Sequence, residues 1–121
     1  MKKLVSILIL FASISVFSQD TVFQKSNSEA EKEAIELTQE YDLELSMTGK
    51  QRLLFQKKVE EFLIRSYKIE ANLNGKEKLD LLYQLQQEET SEMNDILTRL
   101  QMKVYKKVRP IIQPLETVPK E

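Results

Sequence analysis

Residues 47–75 read MTGKQRLLFQKKVEEFLIRSYKIEANLNG. Phe55, Val59, Phe62, Leu63, Ile69 and Leu73 share one stripe at helical spacing, which predicts a helix with that face turned to a core. Thr48-Gly49-Lys50-Gln51 is a capping box at its start, preceded by the apolar Met47. Asn74-Gly75 stands at its end. The same pair can turn a β-hairpin, but the flanks have helical spacing and not alternation. It therefore reads as a helix end, with left-handed backbone at Asn74 or Gly75.

The same grammar extends in both directions. Upstream, Ser28-Glu29-Ala30-Glu31 is a capping box, and Ala30, Ala34, Leu37, Tyr41 and Leu45 follow on one face. A helix from about Ser28 to Leu43 is expected. Downstream, a third helix is expected from about Lys76 to Ile96, with Leu79, Leu82, Tyr83 and Leu85 packing at its start and Met93, Ile96 and Leu97 at its end. Its middle, Gln86 to Glu92, is wholly polar and predicts a solvated or frayed stretch. Thr98-Arg99-Leu100-Gln101, preceded by Leu97, opens a fourth helix with the stripe Leu100, Val104, Val108 and Ile111. Pro110 disfavours helical geometry at Arg109, so that helix should stop near Val108. Pro114 and Pro119 make residues 113–121 an extended tail. No stretch argues for a strand, so the expected fold is all-α with four helices.

Charge alternates along these segments. Residues 20–49 sum to −6, 50–76 to +4, 77–98 to −5 and 99–112 to +5. That favours packing each helix against its neighbour in sequence. Exposed pairs are worth only about 0–1 kcal/mol each, so the bias is modest.

Composition narrows the chemistry. The chain has 121 residues, net charge −1, two Gly, and no Cys or His. Disulfides, thiolate or imidazole metal sites, and Ser-His or Cys-His nucleophiles are excluded. Glycine-rich phosphate loops are excluded too. The charge balance gives no reason to expect a nucleic-acid partner. No cofactor is implied. An enzyme is not expected, because only carboxylates, Lys and Tyr are available and no spacing gathers them in a pocket.

Met1-Lys2-Lys3 followed by the apolar run Leu4 to Phe17 has the pattern of a secretory signal peptide, residues 1–18, cut after Ser18. The rival is an uncleaved anchor, but 14 residues fall short of the roughly 20 a spanning helix needs. No Cys follows the run, so lipid attachment there is excluded. Export without disulfides leaves stability to packing. Residues 19–27 read as a polar, flexible leader. After cleavage, 16 basic and 19 acidic residues remain, a net −3.

Two of the boxes are the same pattern fifty residues apart: Met47-Thr48-x-x-Gln51 and Leu97-Thr98-x-x-Gln101. In each, the Thr hydroxyl accepts from the N–H of the third helical residue and Gln reaches back to the Thr N–H. The apolar residue before Thr folds over the first turn, Leu97 on Met102. On an exported four-helix chain, the pair resembles the Spy/CpxP family of periplasmic proteins, named for its Leu-Thr-x-x-Gln repeats. The resemblance covers residues 28–112. It departs from the pattern at Met47, where the family has Leu, at Gly49, and at Arg99, where many relatives have Pro. It implies an elongated, curved helical hairpin that pairs as an antiparallel homodimer with a concave face. It also implies periplasmic envelope-stress work: ATP-independent chaperoning of unfolded or misfolded envelope proteins, or restraint of a membrane stress sensor. Metal binding through His, known in some relatives, does not carry over.

Residues on the second helix suggest where a partner would sit. Leu53, Ile64 and Tyr67 lie nearly opposite its main stripe, with Lys50, Lys57 and Lys68 beside them. This second face is apolar and basic. Either the first or fourth helix covers it, or it is a client or dimer surface. It lacks the aromatic or Arg anchor of a specific interface, which favours the chaperone over the regulator. Glu88, Glu89 and Glu92 read as a solvated face and not a metal or acid–base cluster. Arg99, Lys103, Lys106, Lys107 and Arg109 read as the complement of the acidic third helix. Tyr41, Tyr67, Tyr83 and Tyr105 fall mostly at packing positions.

Overall fold

The computed structural model describes residues 27–115. The signal-type segment 1–18, nearly all of the leader and the tail beyond Leu115 lie outside the described residues. The described chain is all-α, with four helices and no strand: α1 at 27–45, α2 at Gly49–Asn72, α3 at Gly75–Met93 and α4 at Arg99–Ile112. None of them is long and apolar enough to cross a membrane.

The helix ends show which local rules prevail. Residue 27 is already helical, so Ser28 lies inside α1 and does not cap it. α1 runs two residues past Leu43 and stops at Ser46, whose φ is +50°. The Ser46 N–H donates to Asp42 O at 2.9 Å and the Met47 N–H to Asp42 Oδ1 at 2.7 Å, which offsets that backbone strain. Thr48 and Thr98 both form complete capping boxes with Gln51 and Gln101. Between α2 and α3 the left-handed residue is Gly75, at φ +60°, and it opens α3 after two extended residues, Leu73 and Asn74. α3 ends at Met93, short of Ile96. The next N–H groups, from Asn94 to Ile96, donate three residues back, tightening the chain into a turn toward Thr98. α4 continues through Pro110 to Ile112, contrary to the expected stop at Val108. Pro110 and Lys106 are both exposed, so the carbonyl bond that Pro110 cannot make is left to water. The buried Arg109 side chain holds the turn in place.

α2 and α4 start side by side and run parallel; α1 and α3 run antiparallel to them. The cross-links fix these directions. Asp42 pairs with Arg52 and Glu33 with Tyr67 between α1 and α2. Lys58 pairs with Glu92 and Arg65 with Glu88 between α2 and α3. Glu89 pairs with Arg109 between α3 and α4. Each of these ion pairs joins helices of opposite net charge that are neighbours in sequence, as the alternation predicted.

The core lies where α1, α2 and α4 meet. The expected α1 stripe is buried throughout: Ala30, Ala34, Leu37, Tyr41 and Leu45. α2 contributes Phe55, Val59 and Leu63 to the same cluster. At its centre the rings of Tyr41, Phe55 and Tyr105 pack within 5.2–6.0 Å of one another, a spacing at which tilted aromatic pairs add to simple burial. Leu97 and Met102 are both buried in this cluster, as a staple requires. α4 departs from its expected stripe. Its buried line is Met102, Tyr105 and Arg109, whereas Leu100 and Ile111 are 74% and 78% exposed. Val104, Val108 and Ile112 pack at the edge of the core. Tyr83 is exposed and not a packing residue.

Candidate binding surface

The two boxes do more than start helices. The Gln51 side chain accepts from the Thr48 N–H at 3.0 Å and donates to Gln101 Oε1 at 2.8 Å and to Ile96 O at 3.1 Å. Gln101 repeats the pattern: it accepts from the Thr98 N–H at 2.9 Å and donates to Gln51 Oε1 and Leu45 O, each at 3.2 Å. An amide group has two donors and two acceptor sites. Each glutamine uses all four. The pseudo-symmetric clasp ties the starts of α2 and α4 to each other and to the chain entering both. Replacing either Gln by Ala should cost about 1.5–3 kcal/mol. The double variant should cost about 1 kcal/mol less than the sum, because the shared amide pair is counted twice. Urea unfolding of the four proteins measures this coupling.

Near this clasp three helices carry exposed leucines, and α2 adds exposed lysines. On α2, Lys50, Leu53, Leu54 and Lys57 fall within a narrow arc at 100° per residue. All four are exposed, Leu53 at 59% and Leu54 at 41%. Leu43, near the end of α1, and Leu100, in the first turn of α4, are also open to solvent. These leucines lie at the end of the molecule where the clasp occupies the space between α2 and α4.

The expected face on α2 is therefore split. Leu53, Lys50, Lys57 and Lys68 are exposed, but Ile64 and Tyr67 are partly buried and pack against the core cluster. The Tyr67 hydroxyl donates to Glu33 of α1. Burial, with this carboxylate beside it, pushes the Tyr67 phenol well above its ordinary value. Ile64 and Tyr67 thus belong to the packing edge of α2, not to a continuous outer face. Lys68 lies about 16 Å along the helix from Lys57, away from the exposed leucines at the start of α2. Leu43 and Leu54 fall on no apolar stripe, and Leu100 belongs to the stripe expected to be buried on α4, whose buried line lies in another register.

The polar middle of α3 is corrected more sharply. Glu89 is buried, and its Oε1 lies 2.5 Å from Arg109 Nη2. Arg109 Nη1 donates to Tyr105 Oη at 2.7 Å and Thr90 Oγ1 at 3.0 Å. Glu88 and Glu92 pair with Arg65 and Lys58 of α2. Glu89 is a buried cross-link and departs from the expected solvated face, whereas Glu88 and Glu92 keep side chains 52% and 39% exposed while pairing with α2. Burial pushes the Glu89 carboxyl above its ordinary value, although Arg109 draws it part of the way back. The only advance signal was charge complementarity between α3 and α4.

Comparison with protein-family models, with curated proteins and with solved structures finds no match for this chain.

Proposed function

We propose that this protein is an ATP-independent holdase, exported to the periplasm, that binds unfolded or misfolded envelope proteins. The observation that carries the proposal is the group of exposed leucines around the clasp, Leu43, Leu53, Leu54 and Leu100, with Lys50 and Lys57 beside two of them. Apolar side chains held in water by a rigid scaffold have affinity for the apolar residues of an unfolded chain. The lysines add attraction for acidic segments and speed encounter. The signal-type segment at residues 1–18 and the resemblance of the paired boxes to the Spy/CpxP pattern support the same proposal. A homodimer belongs to the same proposal on the strength of the Spy/CpxP resemblance.

The test is aggregation of two unrelated unfolding proteins with the purified chain at near-equal molar ratio. The parent should suppress aggregation of both. Leu53→Ser/Leu54→Ser/Leu100→Ser should lose most of the protection while keeping its helical content, and Ile111→Ser should behave like the parent. A triple variant that protects as well as the parent would remove this surface from the account. A parent that protects neither protein, yet captures one sensor's extracytoplasmic domain, would identify the chain as a regulator.

A further inference from the structure

Away from the clasp, a half-open cavity of about 320 Å³ lies between α1, the second half of α2, the middle of α3 and the end of α4. Its volume falls at the low end of small-molecule sites, roughly 300–1,000 Å³. Leu37, Phe62, Leu63, Leu82, Leu85 and Ile112 supply an apolar wall. The polar lining holds three carboxylates, Glu33, Glu70 and Glu89, and one cation, Arg109. Arg109 is already bonded to Glu89, so Glu33 and Glu70 set the charge of the cavity. The Tyr67 hydroxyl fixes Glu33 by donating to it. A purely hydrocarbon occupant would leave the Glu33 and Glu70 carboxylates without a counter-charge.

We infer that the cavity binds a small amphiphile with an apolar body and a single positive charge. The body rests on the leucine and phenyl wall, and the charge lies against Glu33 and Glu70. The apolar part supplies affinity by leaving water, and the two carboxylates select the head group. This site is separate from the leucines around the clasp, so it stands or falls independently of the holdase proposal.

Octyltrimethylammonium, octyl glucoside and sodium octanoate share a chain length and differ in head-group charge. Each is titrated, below its micellar concentration, into the full chain with labelled leucine and isoleucine methyl groups. The ammonium should give saturable shifts at Leu82, Leu85 and Ile112. The glucoside should bind about fivefold more weakly, as expected from losing the attraction of two partly solvated carboxylates, and octanoate should give no shift at these methyls. Glu70→Gln, a substitution at an exposed position, should weaken the ammonium about twofold to fivefold and leave the glucoside unchanged. Equal binding of the three head groups, or no saturable shift with the ammonium, would overturn the inference.

Discussion

Replacing Arg109 by Met lowers the unfolding free energy by about 3–5 kcal/mol at neutral pH, the usual cost of stranding one member of a buried ion pair. The side chain joins α3 to α4 through Glu89, Thr90 and the Tyr105 hydroxyl. Without it, the Glu89 carboxylate stays in an apolar setting with no cation. Protonation relieves that cost, so the deficit of Arg109→Met should shrink as the pH is lowered. The sign in the parent is consistent. The folded-state pKa of Glu89 lies above the ordinary carboxyl value because burial disfavours its charge. This group therefore favours folding most below the ordinary value, and its contribution falls as pH rises toward the raised one. Replacing both partners, Glu89→Leu with Arg109→Met, should recover most of the loss, since two apolar groups leave nothing unpaired. Urea unfolding at two pH values measures all three effects. A deficit for Arg109→Met within 1 kcal/mol of the parent would contradict the assignment.

Phe55→Ala should cost a further about 3–5 kcal/mol, by a different mechanism. Phe55 is fully buried, with its ring centroid 5.2 Å from Tyr41 and 6.0 Å from Tyr105. Truncation removes one of the three packed rings, and the clasp and the Glu89–Arg109 pair restrict collapse of the space left behind. For a small domain with a total stability of about 5–15 kcal/mol, that loss is enough to populate the unfolded state. Phe62→Ala should cost less, because Phe62 lies outside the main cluster and lines the cavity. Thermal unfolding of the two variants separates them.

Much of this architecture was legible in the residue pattern. Repeated Thr-x-x-Gln starts located α2 and α4, and the alanine–tyrosine stripe located the buried face of α1. What periodicity missed shares one cause: it counts apolar residues and treats charge as exterior. On α4 the inward position after Tyr105 is Arg109, so the apolar stripe appeared one register away, on Leu100 and Ile111, which face water. On α3, Glu89 sits inside because its partner arrives from a helix 20 residues later. Pro110 was read locally, whereas tertiary anchoring of Arg109 carries the helix past it. The candidate surface was partly legible: Leu53, Lys50 and Lys57 are exposed. Ile64 and Tyr67 could not be assigned from α2 alone, since α1 approaches them from 34 residues upstream in the Tyr67–Glu33 pair. The joining of the two glutamines was also beyond a linear reading, although their matched positions in both boxes were its signature.

The surface around the clasp is tested most directly by titrating a permanently unfolded client into the methyl-labelled chain. Saturable shifts confined to Leu43, Leu53, Leu54 and Leu100, with the buried Leu85 and Leu97 methyls unmoved, are the predicted result. Shifts that leave those four leucines untouched, or no binding at all, would contradict it.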